Sequence, residues 1–482
     1  MNRKYLICRK ICGVAFVALT SIFFHSCADA YTDKETFVSS VQNQVLQSPL
    51  SDSIRISKST DGSTFSFTWP VVYGAGGYTF TLYNVDDPNN PVVVGTANDT
   101  IDGCSATRGR EEETNYKIVL KTLGNATYKN KDAEKATEKV FSTSAPSFAV
   151  IPDGSDISEW FKNNPIPADS INAELIYALV PGGTYTMTDA IDFGGQKVVV
   201  KGGKIAHSKI SMTGSNSCFK TSNGFNLKFV DVDCSGSTAA ALICLSPTPS
   251  STLKVTGGYS LIEDPLVLMD CNIDNLSGGI IYDNKVKYCV KTMLVNNCKM
   301  HLTSSKALSS TAHFYFNQGF INDLTVKKST LWNTGESDAK YFVQYNNSGR
   351  CDRAGYTSNS VNFSNCTFYK ICYAGQWGNY GGFVGRTTSY WDMEKCIFVD
   401  CGGNQIARRF LGGRTNQTTA TFAYNTYMYG TAFESVTGYD NSGTNIEADP
   451  QFKDAANGDF TISGNLQITN KTGDPRWLPA TE

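Results

Sequence analysis

The chain has 482 residues, 41% of them hydrophobic, with 42 glycines and a formal net charge of −2. That length suits two or three domains around a sizeable core. The near-neutral charge excludes a global field that would steer the chain to nucleic acid or to an anionic membrane surface.

The N-terminus reads as a secretory signal over residues 1–26. Arg3, Lys4, Arg9 and Lys10 precede an apolar run at 11–24 that is short for a membrane-spanning helix. The run ends in FHSC (24–27), which resembles a bacterial lipobox, although Phe24 and His25 depart from the commoner pattern. The resemblance implies a membrane anchor through lipid on Cys27; ordinary cleavage leaving a bare cysteine is the alternative. Residues 27–50, with Asp29, Asp33 and Glu35, read as a polar tether. A chain so anchored works in the periplasm or on the outer surface.

Residues 51–145 form a separate unit. FSFTW (65–69) alternates apolar and polar residues, and is followed by GAGGYTFTL (74–82), TNYKIVL (114–120) and a closing strand near Val140 and Phe141. Alternation of period two predicts strands with one buried face. With its buried Trp69 and late Tyr116, the pattern resembles a fibronectin type III sandwich, a module that spaces and presents other domains.

Ser155 and the acidic Glu159 predict a short capped helix at 156–163 that plugs the open end of a repeat region. From residue 146 onward one motif recurs. A loose copy, FVDVDC (229–234), is followed by LVLMDCNI (266–273), MLVNNCKM (293–300), LTVKKSTL (324–331), VNFSNCTF (361–368), WDMEKCIF (391–398) and ATFAYNTY (420–427). Taking the cysteine, serine or asparagine as zero, positions −5 and −3 are apolar on one parity, while zero and +2 are small or apolar on the other. Side chains alternate along a strand, so one residue near −1 must break the alternation. Its occupants are Asp231, Asp270, Asn297, Lys328, Asn365, Lys395 and Tyr424. Each copy is therefore two strands meeting at a one-residue corner. The 27 to 39 residues between copies leave room for a third strand and loops, as parallel stacking requires. The fold class is all-β: a sandwich, then a right-handed parallel β-helix over 146–482.

LVPGGTY (179–185) and VVVKGG (198–203) resemble the first coil of pectate-lyase-like β-helix proteins. DPQF (449–452), GDFTI (458–462) and GDPRW (473–477) resemble the surface lipoproteins of Bacteroidetes with DUF4957 and DUF5123 domains. That resemblance implies glycan-related work at the outer membrane, beside glycan import machinery, and supplies no settled activity.

Twelve of the 15 cysteines remain once Cys8, Cys12 and Cys27 are set aside. Cys271, Cys298, Cys366 and Cys396 share one inward position, which reads as a ladder of buried thiols acting as small hydrophobes. Disulfides between neighbouring coils, such as Cys366 with Cys396, are the alternative.

Candidate third strands are 313–317, 341–345, 383–386 and 406–410, whose outward residues would line a shallow groove suited to a long polymer. The groove offers Asn317, Gln344, Asn346, Arg386 and Arg408, and the preceding glycine-rich loop YAGQWGNY (373–380) offers Tyr373, Trp377 and Tyr380. Aromatic faces stack on sugar rings, and amides and guanidinium groups bind hydroxyls or carboxylates. The primary reading is a polysaccharide binder. A uronate lyase would draw on Arg386 with Arg408 or Arg409, and on calcium held by Glu336, Asp338 and Asp352. Hydrolysis is disfavoured, because the four strands carry no carboxylate pair. An adhesin is the third reading. His207, His301 and His313 lie near no recognisable nucleophile motif, and no C-x-x-C spacing points to zinc.

Overall fold

In a computed structural model, the chain is described over residues 41–480, apart from 168–169, 171–172, 305–310, 337 and 415–416. The signal, Cys27 and the first part of the tether lie outside the described residues. The chain divides into two compact units, Met1–Ser144 and Ala145–Glu482.

The first unit is an antiparallel sandwich. One sheet joins Arg55–Lys58, Thr64–Thr68 and Ser105–Gly109; the other centres on Gly77–Asn84 and Asn115–Leu123. Strict alternation turns Phe65 and Phe67 inward against Phe80, Leu82, Tyr116, Ile118 and Leu120. Trp69 stacks on Phe80 at 5.7 Å. Residues 41–50, expected as tether, instead belong to this unit. Leu46 is buried, and the amides of Asn43 and Leu46 donate to the carbonyls of Tyr128 and Lys131.

The second unit is a parallel β-helix of three long sheets. The first sheet runs from Ala149–Ile151 to Thr419–Ala423, the second from Thr184–Met187 to Thr426–Tyr429, and the third from Ile191–Asp192 to Gln376–Asn379. The expected plug is the helix Ile157–Asn163, whose Phe161 packs on Tyr177 and Phe193. Its N-cap is Asp156 rather than Ser155, and the Asp156 carboxylate accepts from the amides of Ser158 and Glu159.

Left-handed corners occur at Asp270, Asn297, Lys328, Asn365, Lys395 and Tyr424, as the parity break requires. In the loose first copy the corner is Phe229, not Asp231, so that repeat begins two residues earlier. Val230 then pairs with Ser208, and Asp231 faces outward. The zero-position cysteines are buried thiols with a hydrogen-bonding duty. Each donates Sγ–H to the carbonyl two residues back across the corner: Cys271 to Met269, Cys298 to Asn296, Cys366 to Ser364 and Cys396 to Glu394, at 3.3–3.4 Å. Ser329 does the same with its hydroxyl at 2.7 Å. A small side chain with a donor thus fills the core and adds a second hydrogen bond to a carbonyl that already accepts the corner amide of the preceding coil.

The third strands follow the expectation for two coils, as Ala312–Tyr315 and Tyr341–Gln344. In the next coil the strand is Gln376–Asn379, and residues 383–385 form a bend outside any strand. The last coil closes with a helix, Ile406–Phe410, in place of a strand. Buried Glu434 explains the switch, because its carboxylate accepts the amides of Ile406 (2.5 Å), Ala407 (3.3 Å) and Arg408 (3.3 Å).

The C-terminal segment folds back over the outer face of the second sheet as a hairpin, Phe452–Asp454 with Asp459–Ile462, and a helix, Asn465–Asn470. Phe460 meets Trp332 and Tyr369, each at 5.8 Å.

Candidate functional site

Three successive coils pass from the second sheet to the third through the loops 334–340, 370–375 and 400–405. The first two lead into third-sheet strands, and the last into the closing helix. Between them lies a cleft of about 630 Å³, lined by Asn333, Glu336, Asp338, Lys340, Lys370, Tyr373 and Asp400 among others. Lys370 and Asp400 follow the paired residues Tyr369 and Val399, and both occupy left-handed corners (φ 53° and 57°). Stacking of corners therefore places a cation and an anion side by side on the cleft wall.

Tyr373 is 47% exposed, and its ring stacks on Tyr429 with centroids 4.9 Å apart. Lys340 Nζ lies 5.3 Å from the centre of the Tyr341 ring, and Lys370 Nζ the same distance from that of Tyr369. Asp338 is fixed by the amides of Ala339 (2.7 Å) and Tyr373 (3.2 Å). The result is a mixed-charge recess with one open aromatic face.

On the third sheet, into which these loops lead, the outward residues that end the strands align Tyr282, Tyr315, Gln344 and Asn379 in consecutive coils. Tyr282 and Tyr315 stack at 5.2 Å with an 11° interplanar angle. Asn317 donates its amide to the Tyr315 hydroxyl at 3.0 Å. Neither tyrosine is among the residues expected in the groove, yet both share the outward parity of the third strand, a signal present in the sequence.

Of the residues expected in the groove, Tyr373 lies in the cleft, together with Glu336 and Asp338 of the expected calcium set, and Asn317 and Gln344 sit on or beside the tyrosine ladder. Trp377 and Tyr380 are corrected. They are 0% and 1% exposed, packed into the core, and present no face to a sugar. Trp377 lies in a strand rather than a loop, and its inward parity buries it. Asn346 is committed to structural bonds, donating to the Gln318 carbonyl of the preceding coil and accepting from the Ser348 amide in its own turn. Arg386 lines a smaller cavity of about 270 Å³ with Asp352, Arg350 and Asn359, which Arg408 and Arg409 do not border. Arg408 bonds Gln405 beside its own helix. Asp352 pairs with Arg350 at 3.1 Å, so Glu336, Asp338 and Asp352 do not assemble as a calcium cluster.

Glu434 carries a pH consequence. Burial raises its pKa from 4.5 to about 7, against the opposing pull of the helix amides. Between those values the folded chain binds a proton that the unfolded chain has lost. The associated stability is full below pH 4.5 and disappears as pH rises through about 7. The span is about 3 kcal/mol at most. Urea-unfolding midpoints are expected to fall across this window, and Glu434→Gln to flatten the slope.

The fold and cleft define a sandwich-bearing parallel β-helix protein with a polar, aromatic-walled recess. Compared with known families, residues 1–181 match DUF4992, residues 183–334 match DUF4957 and residues 324–477 match DUF5123, each a domain of unknown function. Together the three matches span nearly the whole chain. The last two matches meet within one continuous solenoid, and the cleft residues from Glu336 to Asp400 fall in the DUF5123 stretch. No curated protein matches the chain.

Proposed function

We propose that this protein binds a polysaccharide through the cleft at residues 333–400, extended by the Tyr282–Tyr315 ladder. The observation that carries the reading is the open Tyr373 ring, backed by Tyr429 and flanked by Lys340, Lys370 and Asp400. A ring held rigid by a second ring stacks on sugar faces at little entropic cost, while ammonium and carboxylate groups reach hydroxyls. Anchored by lipid at Cys27 to the bacterial outer membrane, the chain would capture glycan for neighbouring import machinery. The sandwich would serve as a fibronectin type III-like spacer. Supporting that finer reading, the Tyr116 hydroxyl accepts the Glu111 amide at 2.8 Å, a back-bond of the kind found at the tyrosine corner of such sandwiches.

The uronate-lyase alternative moves from the arginines to the cleft, where Lys340 or Lys370 would abstract the proton. One experiment separates the two: the purified protein is run through gels containing plant and host polysaccharides, and the same mixtures are followed in the ultraviolet. Retardation on one polymer, weakened at least about tenfold by Tyr373→Ala with the melting temperature unchanged, is the expected result. Unsaturated products would establish the lyase. Retardation that Tyr373→Ala leaves intact would remove the cleft from the account.

A further inference from the structure

We infer that His313, Asp338 and Cys372, in the wall behind the cleft, form a binding site for a zinc-class divalent ion. The inference stands apart from the glycan reading and does not depend on it. The three residues come from three successive coils: His313 from the strand Ala312–Tyr315, Asp338 from the loop 334–340, and Cys372 from the loop 370–375. One donor atom from each lies within 4.8 Å of the others. His313 Nε2 is 3.0 Å from Asp338 Oδ1. His313 and Cys372 are both fully buried, while the Asp338 side chain keeps 14% exposure and reaches the cleft.

The hydrogen bonding at His313 is incomplete. A neutral imidazole has one N–H and one lone pair. If Nε2–H donates to Asp338, the Nδ1 lone pair is buried with no partner among the described residues. If the proton sits on Nδ1, that N–H is the buried group without a partner among the described residues, and the Nε2 lone pair faces a carboxylate oxygen at 3.0 Å, an arrangement that a cation beside both atoms would stabilise. The Asp338 oxygens are held in place by the amides of Ala339 and Tyr373, and each oxygen keeps a further lone pair for an ion.

The donor set selects the ion. Calcium takes oxygen ligands alone, whereas zinc takes cysteine sulfur, histidine nitrogen and carboxylate oxygen at about 2.0–2.3 Å. On binding, the metal–sulfur bond forms and the Cys372 S–H proton leaves to solvent. Thiolate and carboxylate then balance the two positive charges of the ion, and the neutral imidazole adds none. The buried site therefore carries no net charge, which removes the main cost of placing an ion there. Three protein ligands leave a fourth position for water or a ligand hydroxyl, as in sites that are not purely structural.

The test is a titration of the chelator-stripped protein with cobalt(II) alone, without any glycan. One equivalent is expected to bind, with a thiolate-to-cobalt charge-transfer band and the strong visible bands of a tetrahedral centre. Zinc should bleach both and calcium neither. Cys372→Ser is expected to lose the charge-transfer band, while the other thiols remain as internal controls. Should that variant fail to fold, Asp338→Asn decides the matter, because its side chain borders the cleft and the amide keeps the same shape. It should weaken cobalt binding at least about tenfold. Absence of a stoichiometric band, or a band that Asp338→Asn leaves unchanged, would overturn the site.

Discussion

Replacing Trp377 by alanine is expected to destabilise the protein by about 4 kcal/mol, without acting through any ligand. The indole lies flat against Phe342 at 4.3 Å, and edge-on to Phe368 at 4.9 Å, Phe398 at 5.0 Å and Phe363 at 5.3 Å. Those rings come from four different strands, so removal of the indole opens a cavity that no single side chain can refill. Trp377→Phe should cost far less, about 1 kcal/mol. It keeps a ring in place and removes an Nε1–H that is buried without a partner among the described residues. Urea unfolding of both variants measures the difference. A Trp377→Ala protein that unfolds like the parent would contradict the packing of this coil.

Asp474→Ala is expected to cost about 3 kcal/mol and to loosen the C-terminal clasp before the rest of the solenoid. The Asp474 carboxylate is fully buried. It accepts the Thr330 hydroxyl at 2.8 Å and the Arg476 amide at 3.1 Å, with the Arg476 guanidinium 3.5 Å away. Trp477 closes the ring by donating Nε1–H to Thr330 at 2.7 Å. Loss of the carboxylate strands a threonine hydroxyl and weakens the hold on Arg476, which also reaches Asn297. Limited proteolysis should then cut within residues 446–478 first. Cleavage spread evenly along the chain would show that the clasp is not the weak point.

The repeat is legible in the sequence because its physics is local. Asp270, Asn297 and Asn365 sit at corners where the backbone turns left-handed, and the residues on either side keep their parities whatever the loops do. Pattern alone misplaces the first copy by two residues because FVDVDC also alternates through Asp231, and alternation does not show where a strand begins. Trp377 misleads for a related reason. Glycines on either side suggest a loop, but Gly375 and Gly378 instead allow close approach of the neighbouring backbone at Lys340 and of the Tyr380 ring. The closing helix leaves no local signal because its determinant, Glu434, lies 28 residues further on.

The sequence by itself determined the two-unit organisation of strands, the corners, the inward cysteines and the stacking of parallel coils. Each of these follows from side-chain alternation and from the few residues that tolerate a left-handed turn. Only the tertiary structure decided which residues share a wall. His313 and Asp338 are 25 residues apart and come within 3.0 Å, because each coil returns the chain to the same azimuth after a loop of its own length. Since those lengths vary from coil to coil, no fixed spacing records that His313, Asp338 and Cys372 meet, or that Tyr373 opens to solvent just before Trp377 enters the core.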